Sequence, residues 1–122
     1  VTTFLDAPHA SPTLVPVCRL DDLHPDRGAA ALVDGRQVAL FRLADTGEVR
    51  AVSHRDPFTG ANVIARGLVG SRGDVAIVVS PLHKQAFDLR TGRCLDDPDV
   101  ALDTYTVDVV DGVVHVGVPQ TG

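Results

Sequence analysis

The chain has 122 residues, a formal net charge of −5, and 44% apolar against 22% charged residues. That length suits one domain and excludes two of ordinary size, and the composition is that of a folded globular protein rather than a disordered one. An acidic chain, with a pI near 5.3, lacks the basic surface that displaces counterions from nucleic acid. One Tyr, four Phe and no Trp also make a stacking platform for single strands unexpected.

Residues 1–13, rich in Pro, Thr and Ser, read as a flexible lead-in, and residues 14–122 as a single β domain. The lead-in has no basic region and no long apolar run, so neither a signal peptide nor a membrane anchor is expected there. No stretch approaches the roughly 20 apolar residues of a membrane span. LVPVCRL (14–20) reads as a strand whose Pro16 suits an edge. DDLHPDRG (21–28) reads as a turn-rich connection with room for one helical turn. AALVDGRQVALFRL (30–43) holds two β-rich runs around Asp34-Gly35, a strong hairpin signal. EVRAVS (48–53) follows as a strand, and HRDPFTGAN (54–62) as a loop.

VIARGLVG (63–70) reads as extended, and VAIVVS (75–80) as a central strand buried on both faces. QAFDL (85–89) and RCL (93–95) flank a Thr91-Gly92 turn. DTYTVDVV (103–110) alternates, with Tyr105, Val107 and Val109 on one face, and Asp111-Gly112 turns it into VVHVGV (113–118). Strands at intervals of 8–12 residues with turns between them indicate an all-β sandwich or barrel.

The two cysteines, Cys18 and Cys94, are too few for a disulfide scaffold and read as two free, buried thiols in a reducing cytoplasm, with a single Cys18–Cys94 disulfide as the alternative. Of the five histidines, His9 falls in the lead-in, His24 in a turn, and His115 on the outer face of its strand. There is no zinc spacing of known type, no nucleophile elbow and no phosphate-binding glycine loop. Asp96-Asp97-Pro98-Asp99 lacks the ligand spacing of a calcium loop and reads as a solvated turn. Two Pro-turn loops remain, His54-Arg55-Asp56-Pro57-Phe58-Thr59-Gly60 and Ser80-Pro81-Leu82-His83-Lys84, each adjoining a strand. Loops of this kind at one end of a β fold are a natural place for a metal or a partner.

These loops resemble the two ligand boxes of Rieske iron–sulfur proteins, in which Cys-Pro-His on one loop and Cys-Pro-x-His on the other hold a [2Fe-2S] cluster. Asp56-Pro57-Phe58 with Gly60 matches the first box. Ser80-Pro81-Leu82-His83, followed by Phe87-Asp88-Leu89 and Thr91-Gly92, matches the second. A Rieske centre takes two thiolates and two imidazoles. Asp56 and Ser80 stand at the thiolate positions and Phe58 at one imidazole position, so only His83 is kept. The closer resemblance, from about Val15 to Val118, is to the small subunit of assimilatory NAD(P)H-dependent nitrite reductase, a Rieske-like family without the ligands. It rests on the same boxes together with Arg66-Gly67, Lys84-Gln85, Cys94 and Asp97-Pro98.

The resemblance implies an antiparallel Rieske-like β-sandwich with the two former cluster loops at one end. It also implies an accessory, non-catalytic subunit with no cofactor or metal of its own. Its large catalytic partner would carry FAD, sirohaem and a [4Fe-4S] cluster and reduce nitrite to ammonia in nitrate assimilation. Neither a nucleic acid nor a membrane is an expected partner, and the cytoplasm is the expected location. Without a cluster the loops are expected to touch through packing, with Phe58 as a hydrophobic plug and with Asp56 and Ser80 bonded to turn backbone. Arg55, His83 and Lys84 are the expected docking residues, a basic spot on an acidic protein. The alternatives are a mononuclear metal site on His83, Asp56 and His54, an electron-carrying ferredoxin, or a stand-alone β-sandwich adaptor.

Overall fold

The computed structural model describes residues 13–82 and 84–118, and among them the chain forms nine strands in two antiparallel sheets. The larger sheet has the order β1-β9-β8-β4-β3-β2. Its strands are β1 (Thr13–Arg19), β2 (Gly28–Val33), β3 (Arg36–Arg42), β4 (Val49–Ser53), β8 (Thr104–Val110) and β9 (Val113–Val118). The smaller sheet runs β5-β6-β7, from β5 (Leu68–Arg72), β6 (Val75–Val79) and β7 (Ala86–Asp88). The lead-in ahead of Thr13 lies outside the described residues.

The two expected hairpins form where the left-handed backbone their turns require is supplied. Asp34 and Gly35 have φ of 49° and 78°, and Asp111 and Gly112 have φ of 52° and 77°, the pairing of a type I′ turn. Pro16 sits on the edge strand β1, beside a register irregularity between Pro16 and Cys18. An edge is where a residue without an N–H costs no ladder bond. The connection after β1 contains one 3-10 turn, Leu20–Asp22. Tyr105 and Val107 pack on the core as the alternation predicts, whereas Val109 is exposed.

The apolar run Val38-Ala39-Leu40-Phe41 in β3 is buried throughout because its alternate residues feed two cores. Val38 and Leu40 join Val114, Val116 and Ala51 inside the curl of the large sheet. Ala39 and Phe41 join Val52, Ile64, Val78 and Phe87 between the two sheets. Cys18 packs on the first core and Cys94 lies within the second, and both thiols are free. β6 is the central strand of its sheet, and Ile77 and Val78, on opposite faces, are both buried.

One span departs from the extended reading of residues 63–70: Ile64–Arg66 is a 3-10 turn and β5 begins only at Leu68. The cause is long-range. The His54 carbonyl accepts the N–H groups of both Val63 and Ile64, which tightens the backbone into a turn. Gly67 then passes so close to β6 that a Cβ there would stand 2.5 Å from the Val79 carbonyl oxygen. This close passage puts the loop after β4 and the loop after β6 side by side at one end of the molecule.

Candidate functional site

Asp56 and Ser80 meet at that end, and both are fully buried. The Ser80 hydroxyl donates to Asp56 Oδ2 at 2.6 Å across 24 residues of sequence. That length falls in the range of a hydrogen bond between a hydroxyl and a carboxylate. Asp56 Oδ1 accepts the Phe58 N–H at 2.8 Å, the self-turning habit of aspartate in loops. The Leu82 N–H approaches Ser80 Oγ at 3.4 Å. A chain of polar contacts therefore runs from the tip of one loop, through the buried pair, to the tip of the other.

Each loop is also closed on itself. Asp56 donates its N–H to the Ala61 carbonyl at 2.8 Å, and Gly60 donates to the Asp56 carbonyl at 2.7 Å. Ser80 donates its N–H to the Gln85 carbonyl at 2.9 Å, and Lys84 donates to the Ser80 carbonyl at 3.1 Å. The loops thus touch, but packing is not the main tie. Asp56 and Ser80 serve turn backbone, as the sequence suggests, and in addition bind each other. Phe58 is less of a plug than expected. It is 38% exposed, and its ring rests against Phe87 with centroids 6.3 Å apart and planes tilted by 48°.

Around this pair the surface is mixed. Leu82 is 46% exposed, and Arg55 and Lys84 are exposed as well. The Arg55 guanidinium lies over Gly60. Lys84 has φ of 64°, a left-handed conformation uncommon for a residue with a long side chain. His83, the fourth Rieske position, lies outside the described residues. Gln85 adds a feature that sequence reasoning missed: its Oε1 is buried and has no hydrogen-bond partner.

His54 has a structural task. Its Nδ1 accepts the Ala65 N–H at 3.1 Å in a buried setting, so the ring is neutral with its proton on Nε2. Burial, with the nearby Arg66 charge as a second cause, holds its pKa below the ordinary imidazole value. No signal in the sequence points to this bond, because Ala65 offers only backbone.

The residues present do not fit a [2Fe-2S] cluster. The two thiolate positions hold a carboxylate and a hydroxyl already bonded to each other, and the Phe58 ring has no donor atom. A mononuclear site on His54 and Asp56 fits no better. Nδ1 of His54 and both oxygens of Asp56 already accept hydrogen bonds. Among the described residues no group of three or more His, Cys, Asp or Glu is placed to hold a metal ion.

The remaining matched residues build the frame behind the loops. Phe87 and Leu89 fill the core between the sheets, while the Asp88 carboxylate between them accepts the N–H groups of Arg90 and Thr91. Gly92, with φ of 79°, lies where a Cβ would stand 2.1 Å from the Leu102 carbonyl oxygen, so only glycine fits. The acidic run is a turn, as read: Asp96 Oδ2 accepts the Ala86 N–H, and Asp97 Oδ1 accepts the Asp99 N–H. Among the described residues no helix is long and apolar enough to cross a membrane.

Comparison with known proteins agrees with this fold. Residues 13–117 match the family described as a Rieske-like [2Fe-2S] domain. The nitrite reductase (NADH) small subunit of Salmonella typhimurium is 41% identical over 100 residues, covering 82% of this chain and 93% of that protein. A crystal structure assigned as the NADH-dependent nitrite reductase small subunit of Mycobacterium tuberculosis has a TM-score of 0.88 at 46% identity, covering 92% of this chain and 100% of that one. The nitrite reductase [NAD(P)H] large subunit of Klebsiella oxytoca is 41% identical over 104 residues, which are 85% of this chain but 11% of that protein.

Proposed function

The chain belongs to the nitrite reductase small-subunit family of Rieske-like proteins, and from that premise we propose that it is a non-catalytic subunit that docks its loop end on a large reductase subunit. The large subunit would carry the flavin and sirohaem and reduce nitrite to ammonia in the cytoplasm. The observation that carries this reading is the buried Ser80–Asp56 hydrogen bond at 2.6 Å. It ties the two loops at the positions where thiolates would hold iron, so the loops keep their shape with no cluster to carry electrons. The Klebsiella oxytoca large subunit, which contains a segment like this chain, supports the choice of partner.

Arg55 and Lys84, exposed on the two loops, give this acidic protein a local basic spot that steers encounter in a salt-dependent way. His83, between them in sequence and part of the second loop, is assigned to the same docking surface. The test is association of the purified chain with the purified large subunit. The double charge reversal Arg55→Glu with Lys84→Glu should slow association about tenfold or more at low ionic strength. Binding unchanged by the reversal would remove the docking role of this spot. The chain alone should be colourless, and a visible iron–sulfur band after reconstitution would overturn the cluster-free reading.

A further inference from the structure

The hydrogen bonds of the small sheet fix which backbone groups of β5 are in use. Ser80 donates its N–H to the Gln85 carbonyl at 2.9 Å, and Leu89 donates to the Ala76 carbonyl at 3.0 Å. Ala76, Val78 and Ser80 therefore turn their backbone groups toward β7. Val75, Ile77 and Val79 alternate with them and turn theirs toward β5. Their partners Arg72, Gly70 and Leu68 answer from β5. Val69 and Ser71 are left with N–H and C=O groups that point away from the sheet. β5 is an edge strand, and among the described residues no backbone group outside the sheet bonds to these two.

The other sheet edges are broken or covered. Pro16 and a register irregularity interrupt β1. Residues 93–95 run along β7, where Asp88 donates to the Arg93 carbonyl and Leu95 to the Ala86 carbonyl. The Ala65 backbone lies against Gly28 at the start of β2. β5 has none of these protections: its register with β6 is unbroken, it has no proline, and its single charged residue is Arg72 at the end. Such an edge is a template for another strand. Every second side chain of a strand paired there would share the face of Val69 and Ser71. On that face, between the β5–β6 hairpin and the turn joining β3 to β4, lies a cleft of about 610 Å³. The buried Leu43 and Leu89 form its floor, and five carboxylates against two guanidinium groups line it. One of those two, Arg50, is already held by Glu48 at 3.1 Å. Asp45 and Asp74 are exposed and have no partner among the described residues.

We propose that β5 is a docking edge for an extended, basic segment of a partner polypeptide, which adds a strand through Val69 and Ser71 and turns Lys or Arg side chains into the cleft. The backbone row selects an extended chain, because a strand presents N–H and C=O groups at the matching spacing. The cleft selects the side chains. An aliphatic stem suits the leucine floor, and a cationic head suits the acidic rim. The chain's own ends do not fit, since residues 1–12 and 119–122 contain no Lys or Arg. A second copy fits no better, because at a net charge of −5 it brings like charge to the rim. The surface is separate from the loop pair: the cleft reaches the Gly73-Asp74 turn, at the end of β6 opposite Ser80. The inference therefore stands whether or not the loop end docks.

The test follows the amide resonances of the whole chain as a peptide is added. The probe is Lys-Val-Lys-Val-Lys, acetylated and amidated, which puts every lysine on one face of a strand. It should bind saturably, shift the amides from Val69 to Arg72, and slow exchange of the Val69 and Ser71 N–H groups. Glu-Val-Glu-Val-Glu should bind about tenfold or more weakly, and so should the lysine peptide N-methylated at its lysine amides. Asp45→Lys with Asp74→Lys should weaken the lysine peptide by about the same factor at low salt and by less at high salt. Ser71→Pro removes an N–H that the β5–β6 ladder does not use and should abolish binding; the N-methylated peptide makes the same point without altering the chain. No saturable binding at millimolar lysine peptide overturns the proposal. So does binding of the lysine and glutamate peptides within about twofold of each other, since the cleft then does not choose charge. If the N-methylated peptide binds as well as its parent, the cleft takes lysine side chains without strand pairing and the edge assignment is wrong. If the chain alone dimerises with shifts at the same amides, and the lysine peptide does not compete, the edge belongs to a second copy and the proposal is overturned.

Discussion

Replacing Ser80 by Ala removes one hydroxyl and leaves Asp56 Oδ2 facing the gap. Both residues are fully buried, so water cannot take over the lost bond without the loops opening. A buried acceptor left without its donor costs about 1–3 kcal/mol, and more when it is a carboxylate, which places the expected loss at about 2–4 kcal/mol. For a chain of this length each kcal/mol corresponds to roughly 4 °C in Tm, so the midpoint should fall by about 8–16 °C. Asp56→Asn should cost less. Its amide keeps one oxygen for either the Phe58 N–H or the Ser80 hydroxyl but turns an N–H toward the other. The two substitutions should be strongly non-additive, because both act on the same hydrogen-bonded pair.

The assay is urea and thermal unfolding of both single variants and the double, with amide exchange read at Phe58, Gly60 and Leu82. Exchange should quicken at both loops in Ser80→Ala, including Phe58, which Ser80 reaches only through Asp56. A loss below about 0.5 kcal/mol, smaller than a typical net hydrogen bond, with additive singles, would refute the tie. The loops would then be held by their internal turns and by the Phe58–Phe87 contact.

Three further outcomes follow from the same geometry. His54 has a lowered folded-state pKa, so its contribution to stability is complete above the ordinary imidazole pKa of about 6.5. It is lost as pH falls from there through the folded value, because the unfolded chain then binds the extra proton; urea midpoints of wild type and His54→Gln should converge as the pH is lowered from 7.5. Gly92→Ala combines a left-handed φ of 79° with a Cβ 2.1 Å from the Leu102 carbonyl oxygen, and should cost about 3 kcal/mol or more by chemical denaturation. Lys84→Gly relieves a left-handed backbone worth about 1 kcal/mol, so stability should stay level or rise slightly, while association with the large subunit slows at low salt.

What was legible in the sequence is what short-range chemistry decides. Asp34-Gly35 and Asp111-Gly112 announce their hairpins because aspartate and glycine tolerate positive φ, and Pro16 announces an edge because it has no N–H. The pairing of β4 with β8, over 50 residues apart in sequence as in Ala51 with Tyr105, left no mark, since any apolar alternating strand could fill that place. The 3-10 turn at Ile64–Arg66 was hidden because the His54 carbonyl and ring impose it from ten residues away. At the site, the family frame located Asp56, Phe58 and Ser80, and the residue types excluded thiolate ligation. That Asp56 and Ser80 bond to each other was not legible, because each alone reads as an ordinary turn residue and only the fold brings them to 2.6 Å. Phe58 misled in the other direction. An aromatic residue in a loop suggests burial, but Asp56 fixes its backbone so that the ring reaches only the edge of the core at Phe87.

The exchange of ligands for a hydrogen bond changes what the loop end responds to. A cluster ties its loops through a group that must be supplied and that alters its charge when it takes an electron, so the shape of such a surface is coupled to iron loading and redox state. A hydroxyl on a carboxylate needs no supply and keeps its charge whatever the redox state of a neighbour. On the docking reading, the surface formed by Arg55, Phe58, Leu82 and Lys84 is therefore the same before and after the large subunit turns over, and affinity should not depend on that subunit's reduction state through this chain. Binding measured against the oxidised and the dithionite-reduced large subunit separates the two cases. Equal effects of Ser80→Ala in both states place the tie outside the electron path. An effect confined to one state would mean that the loop pair senses electrons after all, and that the hydrogen bond does more than hold a shape.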